Sequence, residues 1–223
     1  MASPAAPPSP PPANGAQRRG RLVSFEGIDG SGKSTVIARV AQTLRAEGLQ
    51  VMATREETAS ATGDWVKRAV HERWDPLATT FLFLADRARH VREMGGWQDG
   101  GSHVLCDRFM HSTFAYQCAT LAGIPGWGSP LGALPFLEGM HAGWCPMPDR
   151  VLLFTCDPAI AVRRVKQRAA TTPYEKEAFL RQVQGNYLAL AQKDPGRFTV
   201  IDSDQHIDVV TEEATTLVRK LLV

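Results

Sequence analysis

The chain has 223 residues, of which 43% are hydrophobic and 22% charged, and its formal net charge is +2. That size suits one domain, or one domain with a small insertion, and leaves room for a large core. The near-balanced charge argues against the basic field of a nucleic-acid binder, and no apolar run approaches the roughly 18 residues of a membrane span, so neither a nucleic acid nor a membrane is an expected partner.

Met1 to Pro12 carries six prolines. Such a segment can form neither helix nor ladder, so residues 1–20 read as a disordered tail with polyproline II character. It lacks the apolar centre of a signal peptide. The expected location is the cytoplasm, with Cys106, Cys118, Cys145 and Cys156 reduced; none form C-x-x-C, and Cys106 and Cys156 sit in apolar, strand-like runs as small core residues.

Leu22–Glu26 reads as the first strand. Gly27-Ile28-Asp29-Gly30-Ser31-Gly32-Lys33-Ser34 then fits G-x-x-x-x-G-K-[ST] without a mismatch. Val36, Ile37, Val40, Ala41 and Leu44 follow at helical spacing, with Gly48 as a stop. Strand, glycine turn and helix aim backbone N–H groups at a polyphosphate, and the helix N-terminus adds partial positive charge. Residues Gly27 to Thr35 are thus the expected binding loop for a nucleoside triphosphate. Lys33 reaches the β- and γ-phosphates, and Ser34 holds Mg²⁺.

Further along, Gln50–Thr54 reads as a strand ending at Arg55-Glu56-Glu57, and Thr58–Gly63 as a loop. A short helix follows from Asp64 to about Arg73. Asp75-Pro76 caps the next, which is expected to run to about Met94 and stop at Gly95-Gly96. His103–Cys106 is a buried strand with Asp107-Arg108 at its carboxyl end. Helices are expected from about Ser112 to Leu121 and from Leu131 to Met140. Arg150–Thr155 is a strand, and Asp157-Pro158 opens a helix carrying Arg163, Arg164, Lys166 and Arg168. Ala169–Tyr174 breaks the pattern. Glu175 to about Gln192 is helical, Phe198–Asp202 is the last strand, and His206–Leu222 the closing helix. Strands alternating with helices predict a parallel sheet of about five strands covered on both faces, with ligands at the strands' carboxyl ends.

At those ends, Asp107 suits a Mg²⁺ role, as a ligand or by holding one of the ion's ligands, and Arg108 can supply a bidentate donor to a second phosphate. Ser112, Thr113 and Tyr116 lie one helical turn apart and can present hydroxyls to a small polar ligand.

Three blocks resemble the thymidylate kinase family. Phe25–Thr35 looks like F/I-E-G-x-D/E-G-x-G-K-[ST]-T; Phe81-Leu82-Phe83-Leu84-Ala85-Asp86-Arg87-Ala88-Arg89-His90 is similar to L-L-F-x-A-D-R-x-x-H; Asp107–Gln117 looks like D-R-[YF]-x-x-S-[ST]-x-A-Y-Q. The resemblance runs in order and spacing from about Arg21 to the C-terminus. It implies an α/β P-loop nucleoside-monophosphate-kinase-like fold over residues 21–223, a short lid around 165–176, a homodimer, and transfer of a phosphoryl group from ATP to dTMP. The alternative is a kinase of the same fold acting on another nucleotide or nucleoside. A GTPase-type switch is disfavoured, because no N-K-x-D motif is present.

The resemblance also implies roles. Phe83 stacks on the pyrimidine, Thr113 lies near the base edge, and Arg87 contacts the base or the acceptor phosphate. Arg108 clamps that phosphate with help from Arg55. Tyr116 packs under the sugar, Asp29 lies near the sugar or phosphate, Asp107 supports Mg²⁺, and Ser112 and Gln117 complete the dTMP site. Two departures stand out. After Arg55-Glu56, the sequence Glu57-Thr58-Ala59-Ser60 replaces the P-G-G-T common in bacterial members. Thr172-Pro173-Tyr174-Glu175 lacks the lid arginine of D-R-x-E. Ser31 adds no charge either, which in the family goes with lid arginines, so Arg164 or Arg168, four residues apart on one face, is the expected catalytic arginine alongside Lys33 and Arg108.

Overall fold

The computed structural model describes residues 19–128, 130–166 and 176–223. The proline-rich segment up to residue 18, Arg168 and most of the expected lid lie outside the described residues.

The elements, in chain order, are β1 (Leu22–Gly27), α1 (Lys33–Ala46), β2 (Val51–Arg55), α2 (Ala61–His71), α3 (Pro76–Asp99), β3 (His103–Asp107), α4 (Met110–Thr120) with a 3₁₀ turn at Leu121–Gly123, α5 (Leu134–His141), β4 (Arg150–Thr155), α6 (Pro158–Lys166), α7 (Glu177–Lys193), β5 (Phe198–Asp202) and α8 (Ile207–Leu222). The strands form one sheet in the order β2-β3-β1-β4-β5, with every neighbouring pair parallel. The sequence therefore predicts the sheet correctly.

Alternation along the strands sorts their side chains to two faces. On β4, Leu152 and Phe154 join Val23 and Phe25 of β1 and the apolar stripes of α1 and α8. The Phe25 and Phe154 rings stack there with centroids 5.7 Å apart. Val151 and Leu153 point the other way, into a larger cluster with α4, α5 and α7. Cys106 and Cys156 are buried free thiols in this second cluster, as expected.

Three boundaries differ from expectation by three residues or more. Helix α2 starts at Ala61 rather than Asp64, because Ser60 caps it: its backbone is extended and its hydroxyl accepts from the Gly63 amide at 3.2 Å. Helix α3 passes through Gly95-Gly96 and ends at Asp99. The glycines lie in open space, and the last turn is held because Gln98 Nε2 donates to the Gly20 carbonyl at 2.8 Å. Helix α5 starts at Leu134, since Leu131 takes a left-handed conformation (φ 59°) and Pro135 sits in the helix's first turn.

All five strands place their carboxyl ends on one edge of the sheet. The turn after β1 crosses that edge, and Gly30 (φ 85°) has no room for a side chain: a Cβ would lie 2.3 Å from the Ala161 carbonyl oxygen of α6.

Candidate active site

The turn between β1 and α1 is the phosphate loop. Gly32 caps α1 in a left-handed conformation (φ 88°), which turns the first amides of the helix towards the loop's concave side. Lys33 is only 5% exposed. Its Nζ donates to the carbonyls of Gly27 and Ile28 at 2.9 and 2.8 Å and to Ser31 Oγ at 3.2 Å. Burial, with the nearby Arg108 cation, lowers its pKa to about 8. Beside it, Ser34 Oγ donates to Asp107 Oδ2 at 2.5 Å, so the end of β3 meets the start of α1 through two hard oxygen donors.

Arg108 follows β3 with φ 70°, and its amide donates to the Phe25 carbonyl at 3.0 Å. The turn aims its guanidinium back across the loop. Nη2 donates to Asp29 Oδ1 at 2.7 Å and Tyr116 Oη at 3.2 Å, while Nη1 donates to the Gly27 carbonyl and Ser112 Oγ, both at 3.1 Å. The Tyr116 ring lies 5.0 Å below the guanidinium carbon. Burial pushes the Asp29 carboxyl up, but Arg108, Lys33 and the Tyr116 hydroxyl outweigh it and hold the group below its usual range.

These groups form one end of a cavity of about 270 Å³ whose lining includes Asp29, Arg55, Phe83, Arg87, Arg108, Ser112, Thr113, Tyr116 and Gln117. It therefore gathers every residue expected to bind dTMP. Phe83 comes from α3 and the hydroxyl residues from α4. Arg87 is almost fully buried, and its N–H groups meet Glu56 (from both Nε and Nη2), Thr113 Oγ1 at 2.7 Å, His141 Nε2 at 2.9 Å and the Phe109 carbonyl at 3.2 Å. This rigid setting fixes Arg87 in the wall of the cavity. Gln117 is held in turn, its Nε2 donating to Thr80 Oγ1 at 2.8 Å.

A second cleft, about 260 Å³, opens on the other side of the loop between Gly30, Gly32, Thr35, Arg164, Ser203, Gln205 and Ile207. Arg164 spans it loosely. Nη1 donates to the carbonyls of Gly30 and Ser203, each at 3.4 Å. Arg163, its neighbour, is exposed. Two clefts separated by a phosphate loop suit two phosphorylated ligands meeting end to end.

A family model of thymidylate kinase matches residues 25–214. The chain belongs to the thymidylate kinase family. A protein of Methanosarcina mazei named "Probable thymidylate kinase" is 38% identical over 206 residues, covering 92% of this chain and 96% of that protein. One of Methanoculleus marisnigri with the same name is 41% identical over 183 residues, covering 82% and 86%. A thymidylate kinase of Methylobacillus flagellatus is 33% identical, covering 91% of this chain and 98% of its own. The solved thymidylate kinase structure from Candida albicans aligns with a TM-score of 0.74 over 91% of this chain and 92% of that one, at 23% identity, which supports the fold.

Seen as a thymidylate kinase family member, the chain holds its site together with residues to which the sequence reading gave no role. Glu26 is fully buried and accepts from the Phe109 amide at 2.9 Å, Ser112 Oγ at 2.6 Å and the Tyr187 hydroxyl at 3.1 Å. Burial raises its pKa to about 7. A carboxylate inside a buried central strand was the available signal. Tyr187, far along on α7, gave none. Asp86 anchors the unusual loop after β2, accepting from the Thr58 amide at 2.8 Å and from the hydroxyls of Thr58, Thr62 and Ser60 at 2.6, 2.7 and 3.1 Å. That loop brings Glu57, and α2 brings Lys67 and His71, to the lining of the cavity beside Arg108.

Proposed function

We propose that the chain transfers the γ-phosphoryl group of ATP to dTMP, giving dTDP and ADP. The observation that carries this reading is the acceptor cavity beside the phosphate loop, which combines an arginine for a phosphate, an aromatic ring for a base and hydroxyls between them. ATP lies along the loop from Gly27 to Thr35, with its nucleoside in the cleft beside Arg164. The dTMP phosphate sits on Arg108, with Arg55 assisting, and the thymine stacks on Phe83 near Thr113, Arg87 and Gln117. Tyr116 fills the space under the sugar, and Asp29 and Ser112 border the phosphate end.

The acceptor phosphate oxygen is already a nucleophile, so in-line attack on the γ-phosphorus with departure of ADP needs no general base. The protein's part is to align two polyanions and cancel their repulsion. Lys33 supports the transferring group, and Arg164 or Arg168 supplies further positive charge. Mg²⁺ fits this donor set. Ser34 Oγ and the Asp107 carboxylate are hard oxygen groups in contact, and Mg²⁺ takes few protein ligands beside phosphate oxygens and water. When bound, it offsets charge on the β- and γ-phosphate oxygens.

The reading extends to a cytoplasmic homodimer, for which Phe81, 45% exposed on α3, offers an apolar contact; light scattering of the full chain tests the dimer. No described helix is long and apolar enough to cross a membrane. Activity is tested by measuring ADP formation with dTMP, dUMP, dCMP, dGMP and thymidine side by side. A dTMP kcat/KM at least about tenfold above the others is expected. Preference for a different acceptor would assign the fold to a related nucleotide or nucleoside kinase.

A further inference from the structure

Glu57 presents a carboxylate to the cavity that has to accept a phosphate dianion. It lines that cavity together with Arg55, Arg108, Asp29, Lys67 and His71. The loop that carries it is pinned. Thr58 is bound to Asp86 through both its amide and its hydroxyl, at 2.8 and 2.6 Å, and Arg89 Nη2 donates to the same hydroxyl at 3.2 Å. Glu57 therefore cannot be carried away from the phosphate end without breaking the Asp86 anchor.

The other charged groups facing it are already committed or lie at the rim. Arg108 is paired with Asp29 at 2.7 Å, Arg87 of α3 with Glu56, and Lys67 of α2 with Asp64 at 3.0 Å; Arg55 and His71 are exposed. A dianion entering beside Arg108 thus meets two carboxylates, Asp29 and Glu57. They differ in which one can take a proton. Asp29 is held ionised by Arg108, Lys33 and Tyr116, whereas burial pushes the Glu57 carboxyl up against the pull of Arg108 and Arg55.

We propose that Glu57 is a proton-linked gate on the acceptor site: binding of dTMP is coupled to uptake of one proton from solvent by the Glu57 carboxylate, so the site holds its acceptor more tightly when Glu57 is neutral. The gate rests on the reading of this cavity as the dTMP site. An unphosphorylated nucleoside brings no dianion and drives no proton uptake.

The test is calorimetric titration of the full chain with dTMP, and separately with thymidine, in buffers of different ionisation heat, for wild type, Glu57→Gln, Glu57→Ala and His71→Gln. The heat difference between buffers counts protons. Free dTMP ionises identically in every titration, so the difference between proteins measures the proton uptake that depends on the side chain at position 57. Wild type and His71→Gln are expected to take up a clear fraction of a proton with dTMP, and the two Glu57 variants markedly less. At pH about 8 the Glu57 variants should bind dTMP about three- to tenfold more tightly, with thymidine affinity changed by less than about twofold. Equal proton uptake in wild type and Glu57→Gln overturns the gate, as does weaker dTMP binding in both Glu57 variants, which would make Glu57 a direct contact. Loss of uptake in His71→Gln alone assigns the proton to His71 and also overturns it. A wild type that binds ATP but no dTMP overturns the site assignment itself, a different result from any of these.

Discussion

Arg108 and Asp29 are joined at 2.7 Å, and Tyr116 binds both: its hydroxyl donates to Asp29 Oδ2 at 2.9 Å and accepts from Arg108 Nη2 at 3.2 Å. The Arg108 guanidinium is thus held in place by protein groups alone. Its left-handed backbone (φ 70°) is unusual for a residue with a side chain and is stabilised by the Phe25 carbonyl and the Gly27 carbonyl on either side. An incoming phosphate can pair with a guanidinium whose orientation is already set, which reduces the entropy lost on binding.

This arrangement depends on the planar fork of arginine. Lysine keeps the charge at position 108 but cannot serve Asp29, Tyr116, Ser112 and a phosphate together. Arg108→Lys is expected to raise the KM for dTMP by about tenfold or more, with the KM for ATP changed by less than about twofold. Steady-state kinetics with each substrate varied in turn measures both. A change confined to ATP would move Arg108 to the donor side.

The contrast between Arg108 and Glu26 shows what the sequence could and could not reveal. Arg108, Lys33 and Ser34 lie in short local motifs whose geometry follows from a strand, a tight turn and a helix start, so their place in the site was legible. The sheet was legible for the same reason: apolar runs of strand length end in charged residues at one edge. Glu26 of β1 and Tyr187 of α7 meet across 161 residues of chain, and no local pattern encodes that contact. The start of α2 was missed because the Ser60 cap lies inside a polar stretch that reads as loop. The end of α3 was missed because two glycines on an open helix face do not stop a helix that is anchored one turn later by Gln98. Which basic residue closes over the phosphates depends partly on Arg168, outside the described residues.

Lys33 carries a pH dependence that can be worked out from its surroundings. Burial and Arg108 bring its pKa in the free protein to about 8. Below that pH the ammonium is present; above it the phosphate loop loses that charge, which the proposed transfer requires. The kcat/KM for ATP should therefore be level below about pH 8 and fall as pH rises beyond it. The kcat limb should lie higher, since bound polyphosphate favours the ammonium. Lys33→Ala should lose about 2–4 kcal/mol of transition-state stabilisation while its circular dichroism spectrum stays native. A variant keeping a tenth of wild-type turnover would exclude this role.

His111 makes stability pH-dependent in the opposite sense. Its ring is packed against Phe198 and Phe114 with centroids 4.9 and 5.7 Å away. Burial, with Arg197 and Arg87 near, lowers its pKa from 6.5 to about 3. Between those values the unfolded chain binds a proton that the folded chain refuses, so stability falls as pH drops through this window, by at most about 1.4 kcal/mol per pH unit for this one group. His141, lowered to about 4, adds in the same direction. Glu26, raised from 4.5 to about 7, opposes both: it favours the folded state at low pH and loses that contribution as pH rises towards 7. Urea unfolding from pH 7 to 4 should show a shallower acid loss for His111→Phe than for wild type. An unchanged slope would mean that His111 is charged in the folded protein.

Arg164 is the candidate lid-side arginine that the structure describes. Its contacts to the Gly30 and Ser203 carbonyls are long, 3.4 Å each, so the guanidinium is held near the phosphate loop without being locked to it. Ser31 supplies no positive charge, yet two polyanions must be brought together, and Arg164 is a cation within reach of the phosphate loop. Arg164→Ala is expected to lower kcat by about a hundredfold, with dTMP affinity within about twofold of wild type, as for an interaction made mainly in the transition state. If Arg164 only braces Gly30, the same variant should instead lower the thermal midpoint and weaken ATP binding while kcat at saturation stays near normal. Measuring kcat, the dTMP dissociation constant and the melting temperature on one preparation separates the two. Near wild-type values in all three would shift the role to Arg168, for which the parallel Arg168→Ala variant should then show the hundredfold loss.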